Sequence, residues 1–239
     1  MKNREKKKIH LVCQAKGGVG KSFFTYLVHE KIKADNPRVA FLDLDNANRT
    51  SLGRLPKDRI QAVEVLTDEA KIDREAFVLM FEGLSHASTK DTFWVDMGAT
   101  ESIEFLHMLR HNFSPGELKS EFDALGLEVE FNVIIAGGDV YNACLKFLNE
   151  LVEVNREFFR IQVRVNLGRF NRAKDADDLE QIRGLASGNI LVSYFGSTST
   201  DTSDKELLEM IKTGADIRPA ELGMTTRMKY NKLLREIEM

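Results

Sequence analysis

The chain has 239 residues, 43% of them hydrophobic and 30% charged, with a net charge of −3. That is the make-up of a folded globular chain, long enough for one sizeable α/β domain and without a composition shift that marks a second. It excludes a globally basic nucleic-acid binder, although not a local patch, and no apolar run is long enough to span a bilayer.

Residues 1–8 carry Lys2, Arg4, Lys6, Lys7 and Lys8. No long apolar stretch follows, so this is not a secretory signal and the chain is expected in the cytoplasm. The tail is either solvated or a contact for nucleic acid. The first strand, Lys8 to Gln14, leads into Gln14-Ala15-Lys16-Gly17-Gly18-Val19-Gly20-Lys21-Ser22. A helical pattern from Phe23 to Lys33 follows, and Pro37 ends it. Strand, glycine-rich loop and helix is the arrangement in which backbone N–H groups cradle phosphates. The glycines let the backbone approach closely. Lys21 supplies a point charge for the outer phosphates, and Ser22 a hydroxyl for Mg²⁺. Gly17, Gly18, Val19, Gly20, Lys21, Ser22 and Phe23 are the expected nucleotide contacts.

Arg38 to Asp45 reads as a buried parallel strand ending in Asp43 and Asp45. Ligands of open parallel sheets gather at the carboxyl ends of strands, which puts both acids near the phosphates. The polar segment Asn46 to Ser51 is a candidate switch loop. Ala62 to Leu66 alternates like a short strand, and Asp68 to Leu84 predicts one or two helices. Thr92 to Ala99 is an apolar strand ending in Asp96, the position where an aspartate holds a metal-bound water. Gly98 can free a backbone N–H for the outer phosphate. Thr100 or Ser102 is expected to cap a helix from Glu101 to His111. Ser114-Pro115-Gly116-Glu117 starts another. Val129 to Ala136 is a strong strand, turned by Gly137-Gly138-Asp139 into a helix to about Phe158. Phe159 to Asn166 and Asn189 to Phe195 are the last strands, with Arg169 and Arg172 near the first of them, able to pack on a base or a phosphate. The Ser/Thr-rich loop 196–203 precedes a helix from Asp204 to Lys212. Pro219 opens a C-terminal helix, residues 219–239, with Arg227, Lys229, Lys232 and Arg235 on it. Its apolar partners and terminal acids suit a packed helix better than a membrane-binding one, with weak nucleic-acid contact possible. Cys13 and Cys144 have no pairing or metal spacing and read as small core residues in a reducing compartment.

Lys-Gly-Gly-Val-Gly-Lys-Ser, residues 16–22, resembles the deviant phosphate loop of the ParA/MinD family of ATPases. Asp43-Leu44-Asp45 and Asp96 stand where that family has its Asp-x-Asp strand end and its Walker B aspartate. The resemblance implies a homodimer that forms with ATP, in which Lys16 reaches the partner's nucleotide as a cationic finger. It implies that Asp45 positions or activates the attacking water, which makes Lys16, Lys21 and Asp45 the catalytic set. It implies Mg²⁺ held through Ser22, Asp43 and Asp96, and an adenine contact from Asn166. This chain departs from the family at Asn46-Ala47, where ParA proteins have Pro-Gln, and at Met97-Gly98-Ala99, where a proline is usual. Small members without a DNA-reading domain act in plasmid partition, plasmid stability or conjugation, and the loop reads similarly in plasmid-borne StbB/TraL-type proteins. The implied partners are DNA or a DNA-bound protein rather than a membrane. The expected fold is α/β: a single three-layer P-loop NTPase domain, residues 1–239, with a mostly parallel sheet flanked by helices. Two other functions remain open on the same scaffold. One is a metabolic or metal-trafficking enzyme; the other is a nucleotide-binding scaffold with negligible turnover.

Overall fold

β1, Lys7–Cys13, is apolar on both faces over its second half and lies mid-sheet, flanked by β4, Thr92–Asp96, and β5, Leu127–Ile135. The computed structural model describes residues 6–239 apart from 33–35, 47, 50, 52, 172, 173 and 200. Lys2, Arg4 and Arg172, together with part of the candidate switch loop, lie outside the described residues. The remaining strands are β2, Val39–Asp43; β3, Ile60–Ala62; β6, Arg160–Asn166; and β7, Ile190–Phe195. All seven run parallel in the order β3-β2-β4-β1-β5-β6-β7. A fully parallel sheet brings every carboxyl end to one edge, where chemistry gathers.

Helices cover both faces. α1, Lys21–Ile32, packs with α7, Thr202–Lys212, and α8, Met224–Glu236. This face includes Phe24 of α1, which packs edge-on to Trp94 and Phe195. The other face carries α2, Arg74–His86; α3, Ala99–His111; α4, Pro115–Ala124; and α5, Tyr141–Asn155. There Phe77, Phe81, Phe105, Phe122, Phe131 and Phe159 form one chain of ring contacts. Strand alternation separates the two rows: His10 pairs in register with Trp94, and its neighbour Leu11 with Phe131. A short helix, α6, Ala176–Arg183, adds to the edge and accepts the Tyr141 hydroxyl on the Asp178 carbonyl at 3.1 Å.

Several boundaries differ from the sequence expectation. The expected strand Ala62 to Leu66 is displaced: β3 is Ile60–Ala62, and Leu66 instead makes an isolated antiparallel bridge with Ile72. The Val63 N–H donates to the Asp43 carbonyl at 3.0 Å, and the ladder stops there because β2 itself ends. Asp68 to Leu84 holds one helix, not two, started at Arg74 by Asp73, whose carboxylate accepts from the N–H groups of Glu75 and Ala76. α3 starts at Ala99 with Gly98 as its cap residue, so neither Thr100 nor Ser102 caps it. The Ser114/Glu117 capping box with Pro115 forms as expected. Pro219 opens only a 3-10 turn, and α8 begins after Gly223.

α8 is tied to α1 at its middle and at its C-terminal end. The Tyr230 hydroxyl donates to buried Glu30 of α1, and Lys31 donates to the Ile237 carbonyl. Burial, with Glu30 close by, pushes the Tyr230 hydroxyl far above the usual phenol range. On the exposed side, Met224 and Met228 face solvent. At the other terminus, Lys6 pairs with Asp123 at 2.7 Å. Lys7 donates to the carbonyls of Leu84 and Ser85 at 3.0 and 2.7 Å, closing the C-terminus of α2. Both cysteines are buried and unpaired, and burial pushes the Cys13 thiol up to about 12. Among the described residues no helix is long and apolar enough to cross a membrane.

Candidate functional site

The carboxyl ends of β1, β2, β4, β6 and β7 surround a cleft of about 590 Å³. Its lining includes Gly17, Gly18, Gly20, Lys21, Ser22, Phe23, Asp45, Asn166 and Arg169. The loop between β1 and α1 turns twice through positive φ, at Gly18 (73°) and Gly20 (110°). Gly20 has no room for a side chain, because a Cβ there would stand 2.4 Å from Asn166 Nδ2. That close approach has a purpose: Asn166 Nδ2 donates to the Val19 carbonyl at 2.9 Å. Arg169 Nη2 donates to the Gly18 carbonyl at 2.6 Å. The loop is therefore braced by Asn166 and Arg169, which occupy the Val19 and Gly18 carbonyls.

The two lysines are in opposite situations. Lys21 is 8% exposed, and its Nζ donates to the carbonyls of Gln14 and Lys16 at 3.2 and 3.4 Å. Lys16 is exposed on the loop surface. Gln14 is fully buried and anchors the loop's first residues. Its Nε2 donates to the Ile134 and Cys144 carbonyls at 2.9 and 3.3 Å, and its Oε1 accepts from the Ala15 N–H at 2.8 Å.

Asp43 and Asp96 are register partners on adjacent strands, and both are buried. Asp43 Oδ1 accepts from the Asp45 N–H at 2.9 Å. The Ser51 hydroxyl donates to Asp96 Oδ2, while Asp96 Oδ1 is buried without a hydrogen-bond partner among the described residues. Burial pushes the Asp96 carboxyl up to about 6, against the help of Ser51, with the Asp43 charge adding to the rise. An unpaired buried carboxylate oxygen beside the Ser22 hydroxyl suits a hydrated cation, which supplies the missing donor. Mg²⁺ passes that test here, with Ser22, Asp43 and Asp96 as the residues to hold it or its waters.

Asp45 sits half-buried at the cleft, its Oδ1 accepting from the Asn48 N–H at 3.0 Å. Close to it, Gly98 is closed to a side chain. A Cβ there would lie 2.0 Å from Glu101 Oε2 and 3.1 Å from the Asp45 carboxyl carbon. Glu101 is buried and accepts from the Asn46 N–H at 3.2 Å, so it joins the segments after β2 and β4. Burial raises its carboxyl above the usual range, opposed by its own N–H and that of Asn46. The sequence reading passed over Glu101, Ser51 and Arg54. Glu101 looks like an ordinary first-turn acid, and the other two are lone polar residues in a loop. The Ser102 hydroxyl, expected as a cap, instead donates to the Gly98 carbonyl at 2.7 Å and accepts from the Gln14 N–H at 3.1 Å. Of the expected site residues, Val19, Asp43 and Asp96 lie beneath the cleft, and Lys16 outside it.

A seven-stranded parallel sheet with this loop after its central strand is a P-loop NTPase architecture. In particular, the fold is the one seen in solved plasmid partition and MinD structures. It is similar in structure to a plasmid partition protein of Borrelia burgdorferi B31 bound to AMPPNP, with a TM-score of 0.58 and 16% identity over 96% of this chain and 98% of that one. MinD from the MinC:MinD cell division complex of Aquifex aeolicus gives a TM-score of 0.55 and 12% identity, covering 95% and 94%. In sequence, the chain is 28% identical to Protein TraL of Escherichia coli over 131 residues, 55% of this chain. That match covers 51% of TraL, so the chain spans about half the length of the curated relative it matches. No family model matches the chain.

Proposed function

We propose that this chain is a single-domain ParA/MinD-like ATPase that binds ATP with Mg²⁺, dimerises with nucleotide bound, and hydrolyses it. Its work would serve plasmid or DNA partition, plasmid stability or conjugative transfer, through DNA or a DNA-bound partner. The observation that carries the reading is the pairing of a buried Lys21 inside the loop with an exposed Lys16 at its edge. In this reading the first serves the chain's own nucleotide and the second serves one held by another subunit.

In this reading the N–H groups of residues 17–22 and the start of α1 receive the phosphates. Lys21 exchanges the Gln14 and Lys16 carbonyls for phosphate oxygens. Bound Mg²⁺ would neutralise charge on those oxygens. Asp45 orients a water in line with the terminal phosphate and takes its proton. Asn166 Oδ1 remains available for the amino group of adenine, with its Nδ2 held by Val19. The plasmid partition protein of B. burgdorferi, similar in fold, supports the choice of plasmid biology.

The experiment is phosphate release from Mg²⁺-ATP, with and without plasmid DNA, in the wild-type chain and in Lys21→Ala. Wild type is expected to release phosphate, more so with DNA, and Lys21→Ala to lose nucleotide binding. Nucleotide binding without any phosphate release would favour the scaffold. Equal nucleotide binding by the two proteins would reject the reading.

A further inference from the structure

Arg54 lines the same cleft as Lys21, Ser22 and Asp45, eleven residues past the end of β2 at Asp43. The N–H groups of Arg54 and Leu55 both donate to the Ser51 carbonyl, at 3.1 and 2.9 Å. Ser51 is in turn fastened to Asp96 through its hydroxyl. Leu55 is buried in the core. From the far side, the turn after α7 presses on the same backbone. A Cβ at Gly214 would stand 2.5 Å from the Gly53 carbonyl and 3.1 Å from Arg54 Cα. Ser51 and the backbone at Gly53 and Arg54 are thus held between the Asp96 carboxylate and the turn after α7, and Arg54 has a fixed starting point at the cleft.

Its side chain is poorly provided for within the protein. Arg54 Nε is buried and makes no hydrogen bond among the described residues. Burial holds the guanidinium below its usual range, and the Asp96 charge offsets this only in part. The Asp96 oxygen on the loop side already accepts from Ser51. A half-buried guanidinium whose Nε makes no hydrogen bond among the described residues costs folding free energy, so its presence in a phosphate-binding cleft points to an anion that arrives from outside. Guanidinium is suited to this, because its planar fork of donors matches two phosphate oxygens at once.

We propose that Arg54 is a guanidinium acting in cis on the terminal phosphate of the nucleotide, so that the clamped turn distinguishes nucleoside triphosphate from diphosphate. The proposal rests on the ATPase reading above. It differs from the role given to Lys16 because Arg54 serves the cleft of its own chain.

The test is calorimetric titration of wild type, R54M and R54K with AMPPNP and with ADP, each with Mg²⁺, beside the melting temperature of each protein without nucleotide. R54M is expected to weaken AMPPNP about tenfold or more while ADP stays within about threefold. Its melting temperature without nucleotide should be unchanged or higher, because a guanidinium whose burial the Asp96 charge offsets only in part has been removed. R54K, which keeps the charge and loses the fork, should fall between. Equal weakening of both nucleotides, or of neither, in a wild type that binds them overturns the proposal alone. A wild type that binds neither nucleotide overturns the ATPase reading and this proposal with it. Should R54M not fold, R54K decides by the same ratio: unchanged AMPPNP-to-ADP discrimination rejects the role.

Discussion

Lys16→Ala is expected to bind nucleotide as wild type does and to lose about 10³-fold or more in turnover, the scale of a cationic finger on a transferring phosphoryl group. The structural ground is the separation of tasks between the two lysines. Lys21 is buried and bonded to the loop's own carbonyls, so the cleft is complete without the side chain of Lys16. Lys16 contributes its carbonyl to that arrangement, is exposed, and is not among the residues that line the cleft. Removing the ammonium therefore leaves the pocket's shape intact. Phosphate release under single-turnover conditions, beside a direct binding titration, separates the two effects. A variant that turns over as fast as wild type would exclude the finger.

The second large effect is expected at Asp45. Asp45→Asn keeps an oxygen to accept from the Asn48 N–H, so the turn after β2 should survive. What is lost is the charge and the capacity to accept a proton from water, and turnover should fall about 10²-fold or more. Nucleotide should still bind, because the loop, Lys21 and the Ser22–Asp96 corner are untouched. Under the proposed cycle the variant accumulates as an ATP-bound dimer, visible as an earlier peak in size-exclusion chromatography with Mg²⁺-ATP. A monomer that still hydrolyses ATP would contradict the assignment.

The loop and its three acids were legible because each sits at a strand end, and the strands announce themselves. β1, β2 and β4 are buried on both faces and so read as near-continuous apolar runs. The glycines between β1 and α1 then leave little choice of local chemistry. Alternation misled at Ala62 to Leu66, because Val65 is buried in a loop that packs on the core without a strand partner. α6 escaped notice for the opposite reason. Asp175, Asp177 and Asp178 give it a polar start, and Ile182 is its one fully buried residue. Gly223, four residues past Pro219, is what separates the 3-10 turn from α8.

The site's supporting residues were harder for a deeper reason. Glu101 matters because two loops, after β2 and after β4, converge on its carboxylate, and no local pattern records that convergence. Ser51 matters because it reaches Asp96, 45 residues away in the chain. Asn166 was picked out as a strand-end residue, but its hold on the Val19 carbonyl and the resulting need for Gly20 exist only once β6 stands near the loop. Local chemistry is written in sequence spacing, whereas bracing between loops is a product of the sheet order.

The most direct measurement is a crystal structure grown with AMPPNP and Mg²⁺. The account predicts two chains face to face, each cleft filled, with the ammonium of Lys16 from one chain against the terminal phosphate held by the other. A filled cleft in a lone chain with Lys16 in bulk solvent, or a dimer whose clefts stay empty, would contradict it.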